Sequence, residues 1–101
     1  MARKKIIPGS TVDVRFTLRE RELVVDETFA GRNLTERLAL APLQGRTLVV
    51  HYTLDDLDEL VGFVAAAANH TDDEMLHEEL NALFERLMVE LGSYDDGGWP
   101  D

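Results

Sequence analysis

Residues 53–91 read TLDDLDELVGFVAAAANHTDDEMLHEELNALFERLMVEL, and their apolar spacing sets the architecture. Leu54, Leu57, Val61, Val64 and Ala68 recur at steps of three and four, which gathers them on one stripe of a 3.6-residue spiral. Leu76, Leu80, Leu83, Leu87 and Leu91 repeat the device, broadened by Phe84 and Met88 and opposed by Glu78, Glu79, Glu85 and Glu90. Each run opens on a threonine with an acid three residues later, Thr53 with Asp56 and Thr71 with Glu74. Each Thr can therefore cap a helix whose positive end the acids favour. Asn69 can close the first helix and Gly92 the second in a left-handed conformation. The short link through Asn69, His70 and Thr71 makes the two helices antiparallel neighbours.

Gly62 interrupts the first helix, where a glycine costs about 1 kcal/mol relative to alanine and usually has a packing reason. With Ala65 to Ala68 following it, this helix offers a second packing surface. Leu57, Gly62, Phe63 and Ala66 are its candidate interface residues, and Trp99 is a candidate anchor from the tail.

Upstream, Val12, Val14 and Phe16 alternate with Asp13 and Arg15, the period of a half-buried strand. Thr17 and Glu20 form a further capping box, and a helix is expected from Leu18 to about Phe29 with Leu18, Val25 and Phe29 inward. The rival reading is a strand through Leu23, Val24 and Val25, since adjacent β-branched residues suit a sheet. Asn33 and Glu36 cap a short helix through about Ala39, and residues 40–46, with Pro42 and Gly45, read as loop. Thr47 to Tyr52 is a second strand, with Leu48, Val50 and Tyr52 on one face. Residues 11–20 and 47–56 align without a gap at an offset of 36, each running strand, aromatic, Thr, Leu, acid. That echo reflects either duplication or the shared chemistry of strand-to-helix junctions. The expected fold is α+β, a small two-stranded sheet packed with an antiparallel helix hairpin and an N-terminal helix. Residues 1–10 form a basic lead, 11–92 the domain, and 93–101 a flexible acidic tail.

Composition excludes several functions. The 101 residues contain no cysteine, which removes disulfides, thiolate chemistry and Cys-type zinc sites. The charged start MARKKIIP leads into only two apolar residues, unlike a secretion signal, and a cytoplasmic setting is expected. No run approaches the eighteen or so apolar residues of a membrane span. The net charge of -10 is uneven, for residues 1–46 hold nine of the ten Lys and Arg and six acids, while residues 47–101 hold Arg86 and fourteen acids. Such a field repels phosphate backbones and favours basic partners. No phosphate loop, dinucleotide fingerprint or nucleophile elbow occurs, and Ser10 and Ser93 have no histidine at a readable spacing. The one grouping with ligand-like spacing is His70, Glu74 and His77, which could converge on a divalent ion in a metal-binding domain or metal-dependent hydrolase. No other cofactor is indicated.

The run from Tyr52 to Thr71, continuing through Leu80-Asn-Ala-Leu-Phe-Glu-Arg-Leu87, resembles a helix hairpin of small bacterial proteins without assigned activity. Some of those carry it beside a domain named after a plasmid open reading frame. The resemblance covers about residues 47–91, implies a bacterial, cytoplasmic setting and carries over no functional residue. The reading that emerges is a non-enzymatic interaction or regulatory module. It self-associates through an apolar helix face as a homo-oligomer and presents an acidic helical face to a basic protein partner.

Overall fold

A computed structural model of the chain describes residues 4–95. It contains β1 (Lys4–Lys5), β2 (Thr11–Thr17), α1 (Leu18–Glu27), α2 (Arg32–Ala39), β3 (Leu43–Gln44), β4 (Thr47–Thr53), α3 (Leu54–His70), α4 (Glu74–Gly92) and β5 (Tyr94–Asp95). The class is α+β, but the sheet has three strands rather than two. β4 lies centrally, antiparallel to β2 on one side and to β3 on the other. The third strand arises because Gly45 takes a φ of 68° and, with Arg46, closes a two-residue hairpin between Gln44 and Thr47. Glycine at the first position of such a loop suits the right-handed twist of paired strands. β1 and β5 form a separate parallel pair, Lys4 opposite Tyr94 and Lys5 opposite Asp95, so the chain on either side of the main body is tied together.

Alternation decides which face of the sheet is covered. Val12, Val14 and Phe16 from β2 and Leu48, Val50 and Tyr52 from β4 are all buried, whereas Thr11, Asp13, Arg15 and Thr17 are exposed. Leu34, Leu38, Leu57, Leu60, Val64, Leu80, Leu83 and Leu87 from the helices complete the same core. The register sets Val14 opposite Val50, Val12 opposite Tyr52, Phe16 opposite Leu48, and Thr11 and Thr17 opposite Thr53 and Thr47. Since Val14 and Val50 are 36 apart, the sequence echo pairs with itself about a local two-fold centred on these valines. Both junctions are capping boxes. Thr17 accepts from the Glu20 amide while Glu20 accepts from the Thr17 amide, and Thr53 and Asp56 do the same.

Several local expectations need correction. α1 is a helix, but its inner face is Leu23 and Val24; Leu18, Val25 and Phe29 are 45%, 39% and 92% exposed. Leu23 and Val24 pack into the common core, and Arg86 of the last helix holds Glu20 on the same side, which fixes the rotation of α1. α2 begins after Gly31 without a side-chain cap, so Asn33 lies inside the helix. α4 is capped by Asp73, whose carboxylate accepts from the Leu76 amide. Thr71 instead ends α3, its amide donating to the Ala67 carbonyl. Asn69 is therefore still helical, and among the described residues none other than glycine has positive φ. Gly92 belongs to α4 and is not left-handed either. Along α4 the buried stripe is Leu80, Leu83, Leu87 and Leu91, with Leu76 half-buried and Met88 exposed. Trp99 and most of the expected tail lie outside the described residues.

Candidate functional site

The hairpin tip was the one place where sequence spacing suggested metal chemistry. Thr71, Asp72, Asp73, Glu74, His77 and Glu78 line an open depression there of about 280 Å³. His70 is absent from that lining. His77 is otherwise engaged, its Nδ1 donating to the Ala68 carbonyl oxygen at 2.6 Å. That bond ties the first turn of α4 to the end of α3. Among the described residues no three His, Asp or Glu side chains are placed to share a metal ion. The acids at the tip have a helical reason, because Asp73 and Glu74 sit where the amide ends of α4 favour negative charge.

The candidate interface residues of α3 divide. Leu57 is completely buried and belongs to the core, because its step from Leu54 and Leu60 puts it on the sheet-facing side. Phe63 is half-buried and packs against the core from outside, while Gly62 and Ala66 are exposed. A β-carbon built on Gly62 would meet nothing within 4 Å. The packing partner inferred for this glycine is therefore not supplied by the described part of the chain.

Two side-chain clusters invisible in the linear sequence hold the two echo units together. Arg86 of α4 donates through Nε and Nη2 to both carboxylate oxygens of Glu20, at 2.8 and 3.0 Å, with its guanidinium 5.5 Å from the Phe16 ring centroid. Arg37 of α2 pairs with Asp56 at 3.0 Å, donates to the His51 carbonyl, and stands 5.3 Å from the Tyr52 ring centroid. Glu20 and Asp56 are echo equivalents, as are Phe16 and Tyr52. Each cap acid and strand aromatic is thus clamped by an arginine from the second helix of the other unit. The repeated acid and aromatic are legible in the sequence; the arginines, 66 and 19 residues away from their acids, are not.

The electrostatics around these clusters are structural in kind. Burial would raise the Asp56 carboxyl, but hydrogen bonds from Thr53 and the adjacent Arg37 together hold it below its ordinary value. Burial pushes the Tyr52 hydroxyl up to about 12, consistent with its 2.6 Å hydrogen bond to the Leu34 carbonyl. Arg19 grips Glu79 through two 2.8 Å bonds and lowers that carboxyl in turn. The outer side of α3, α4 and the link between them is different. Asp55, Asp58, Glu59, Asp72, Glu78 and Glu85 are exposed and, among the described residues, form no ion pair.

Comparison with protein-family models, with curated proteins and with solved structures finds no match to this chain. No helix among the described residues is long and apolar enough to cross a membrane.

Proposed function

We propose that the chain is a non-enzymatic interaction module whose exposed α3 face, with Gly62 and Ala66 set among Asp58 and Glu59, serves both self-association and, together with the acidic outer side of α4, a basic protein, so that the two occupants compete for it. The observation that carries this reading is the unpaired acidic face. The second half of the chain has one arginine against fourteen acids, and that arginine is already held by Glu20. Exposed like charges at this density repel one another and gain most from a cationic surface. Phosphate backbones are disfavoured by the same field, so nucleic acid is not the direct ligand.

The test is affinity capture of basic proteins at low and high salt, comparing the native chain with Glu59→Lys combined with Glu78→Lys. Retention that is salt-sensitive and lost in the charge-reversed variant supports the reading, whereas equal retention by both proteins overturns it. Sedimentation equilibrium at high micromolar concentration tests self-association. A dimer weakened by Ala66→Glu supports that part, and a strict monomer ends it.

A further inference from the structure

Among the described residues β2 pairs with β4 alone, which leaves its other edge open. That edge runs for 7 residues without a bulge or a proline, whereas β3, at the opposite side of the sheet, has 2 residues and follows Pro42. The backbone groups on the open edge can be identified. The two-residue loop of Gly45 and Arg46 sets the Gln44 and Thr47 backbones against each other, so Thr47 faces β3. Alternation along β4 then turns Val49, His51 and Thr53 away from β2 as well. Two bonds agree with this, since the His51 carbonyl accepts from Arg37 and the Thr53 amide donates to Asp56. Leu48, Val50 and Tyr52 therefore carry the ladder to Phe16, Val14 and Val12, and the amides and carbonyls of Thr11, Asp13 and Arg15 point out of the sheet. Thr17, on the same edge, gives its amide to Glu20 as the chain enters α1. No other backbone segment among the described residues satisfies the groups of Thr11, Asp13 and Arg15 on that side.

The side chains of this strand specify what fits there. β2 reads Thr-Val-Asp-Val-Arg-Phe-Thr, which is matched in kind from either end about Val14. A second copy laid antiparallel with its Val14 opposite Val14 brings Asp13 against the partner's Arg15 and Arg15 against the partner's Asp13. Thr11 then meets the partner's Thr17, and Val12 the partner's Phe16. Centring the pair on Asp13 or on Arg15 sets like charges face to face, which opposes those registers. The positions that match in charge are also those whose backbone groups point outward, so one register closes the backbone bonds and pairs the charges together. Both charges are available. Asp13 meets His51 of β4 through Oδ1 alone, at 2.7 Å, and Arg15 forms no ion pair among the described residues. Arg86, which shares a shallow depression with Arg15, is held by Glu20. The strand also lies in the half of the chain where nine Lys and Arg outnumber six acids, away from the repulsion of the hairpin. We infer that the open edge of β2 is a self-pairing surface, on which a second copy of this chain adds antiparallel about Val14 and continues the sheet across both molecules. It is separate from the exposed face of α3 and does not depend on it.

The test is sedimentation equilibrium of the whole chain, joined to amide hydrogen exchange read by NMR at low and high protein concentration. The native chain is expected to dimerise, with the Asp13 and Arg15 amides exchanging more slowly at the higher concentration. Asp13→Arg and Arg15→Asp each put like charges at both paired positions and should weaken the dimer about tenfold or more, with circular dichroism unchanged because both side chains are exposed. The two changes combined restore opposite charges and should return the dimer to within about twofold of the native one. Ala66→Glu should leave this dimer intact. A strict monomer at high micromolar concentration overturns the inference, as does exchange at Asp13 and Arg15 that is the same at both concentrations. Single reversals that dimerise as well as the native chain also overturn it. A dimer that is lost in Ala66→Glu and kept in both reversals removes the β2 edge while the α3 surface stands.

Discussion

Tyr52 joins the two units through a single hydroxyl. It is fully buried on β4, packs edge-on to Phe16 with ring centroids 6.4 Å apart, and donates to a backbone carbonyl of α2. Tyr52→Phe keeps the ring and loses the bond, leaving the Leu34 carbonyl without that partner; the expected cost is about 1–2 kcal/mol in denaturant unfolding at neutral pH. Because the folded pKa is raised from 10.0 to about 12, the stability linked to the neutral hydroxyl is present below pH 10 and is lost as pH rises toward 12. The native chain should therefore weaken over that window, and Tyr52→Phe should weaken less. An identical alkaline decline in both proteins would contradict this assignment. Asp56 behaves in the opposite sense. Its folded pKa is depressed, so its contribution is present above the unfolded value of about 3.9 and is lost as pH falls through the folded one. Asp56→Asn should cost about 1 kcal/mol at neutral pH and flatten the acid limb of the stability profile below pH ~4. The capping box at Asp56 was legible from Thr53, but its arginine was not, since Arg37 reaches it only through the packing of α2 on β4.

At the scale of elements, α3 shows the clearest distinction between what a residue costs and what it permits. Gly62 lies in mid-helix with room for a β-carbon, so Gly62→Ala should stabilise the isolated chain by about 1 kcal/mol, read as a higher denaturant midpoint with unchanged slope. Destabilisation would show that something already packs on that side. The helix was foreseeable from its three- and four-residue spacing and its cap. The rotation of α1 was not. Its sequence carries two apolar faces of two residues each, Leu23 with Val24 and Leu18 with Val25, and the core packing together with the Arg86–Glu20 clamp chose the first. The Gly45-Arg46 hairpin could have been anticipated, because glycine followed by a polar residue between short apolar stretches is a known hairpin signal. Pro42 and the brevity of β3 made the segment read as loop.

The whole molecule combines one covered sheet face with a strongly asymmetric charge. Its ion pairs are mostly solvent-exposed, and exposed pairs contribute only a few tenths of a kcal/mol each, whereas the net charge of -10 acts against the folded state everywhere at once. Raising sodium chloride toward physiological ionic strength and beyond should therefore raise the melting temperature by a few degrees, as screening relieves self-repulsion faster than it weakens the pairs. A falling melting temperature would mean that the Arg86, Arg37 and Arg19 clusters outweigh the net field.

Taken alone, the sequence determined the features that act over short separations. These are the alternation of β2, the inward face of β4, the Thr17 and Thr53 caps, the leucine stripe of α4 and the sign of the hairpin's field. Each depends on residues within a turn or two of one another, or on composition. Only the tertiary structure decided which flank of α1 is buried and which arginine closes each cap. It also decided that β4 is central and that the His70, Glu74 and His77 spacing does not gather into a metal site. Those outcomes depend on how distant surfaces compete for the same neighbour, and a helical repeat read along one chain cannot say which of two apolar flanks the core takes in.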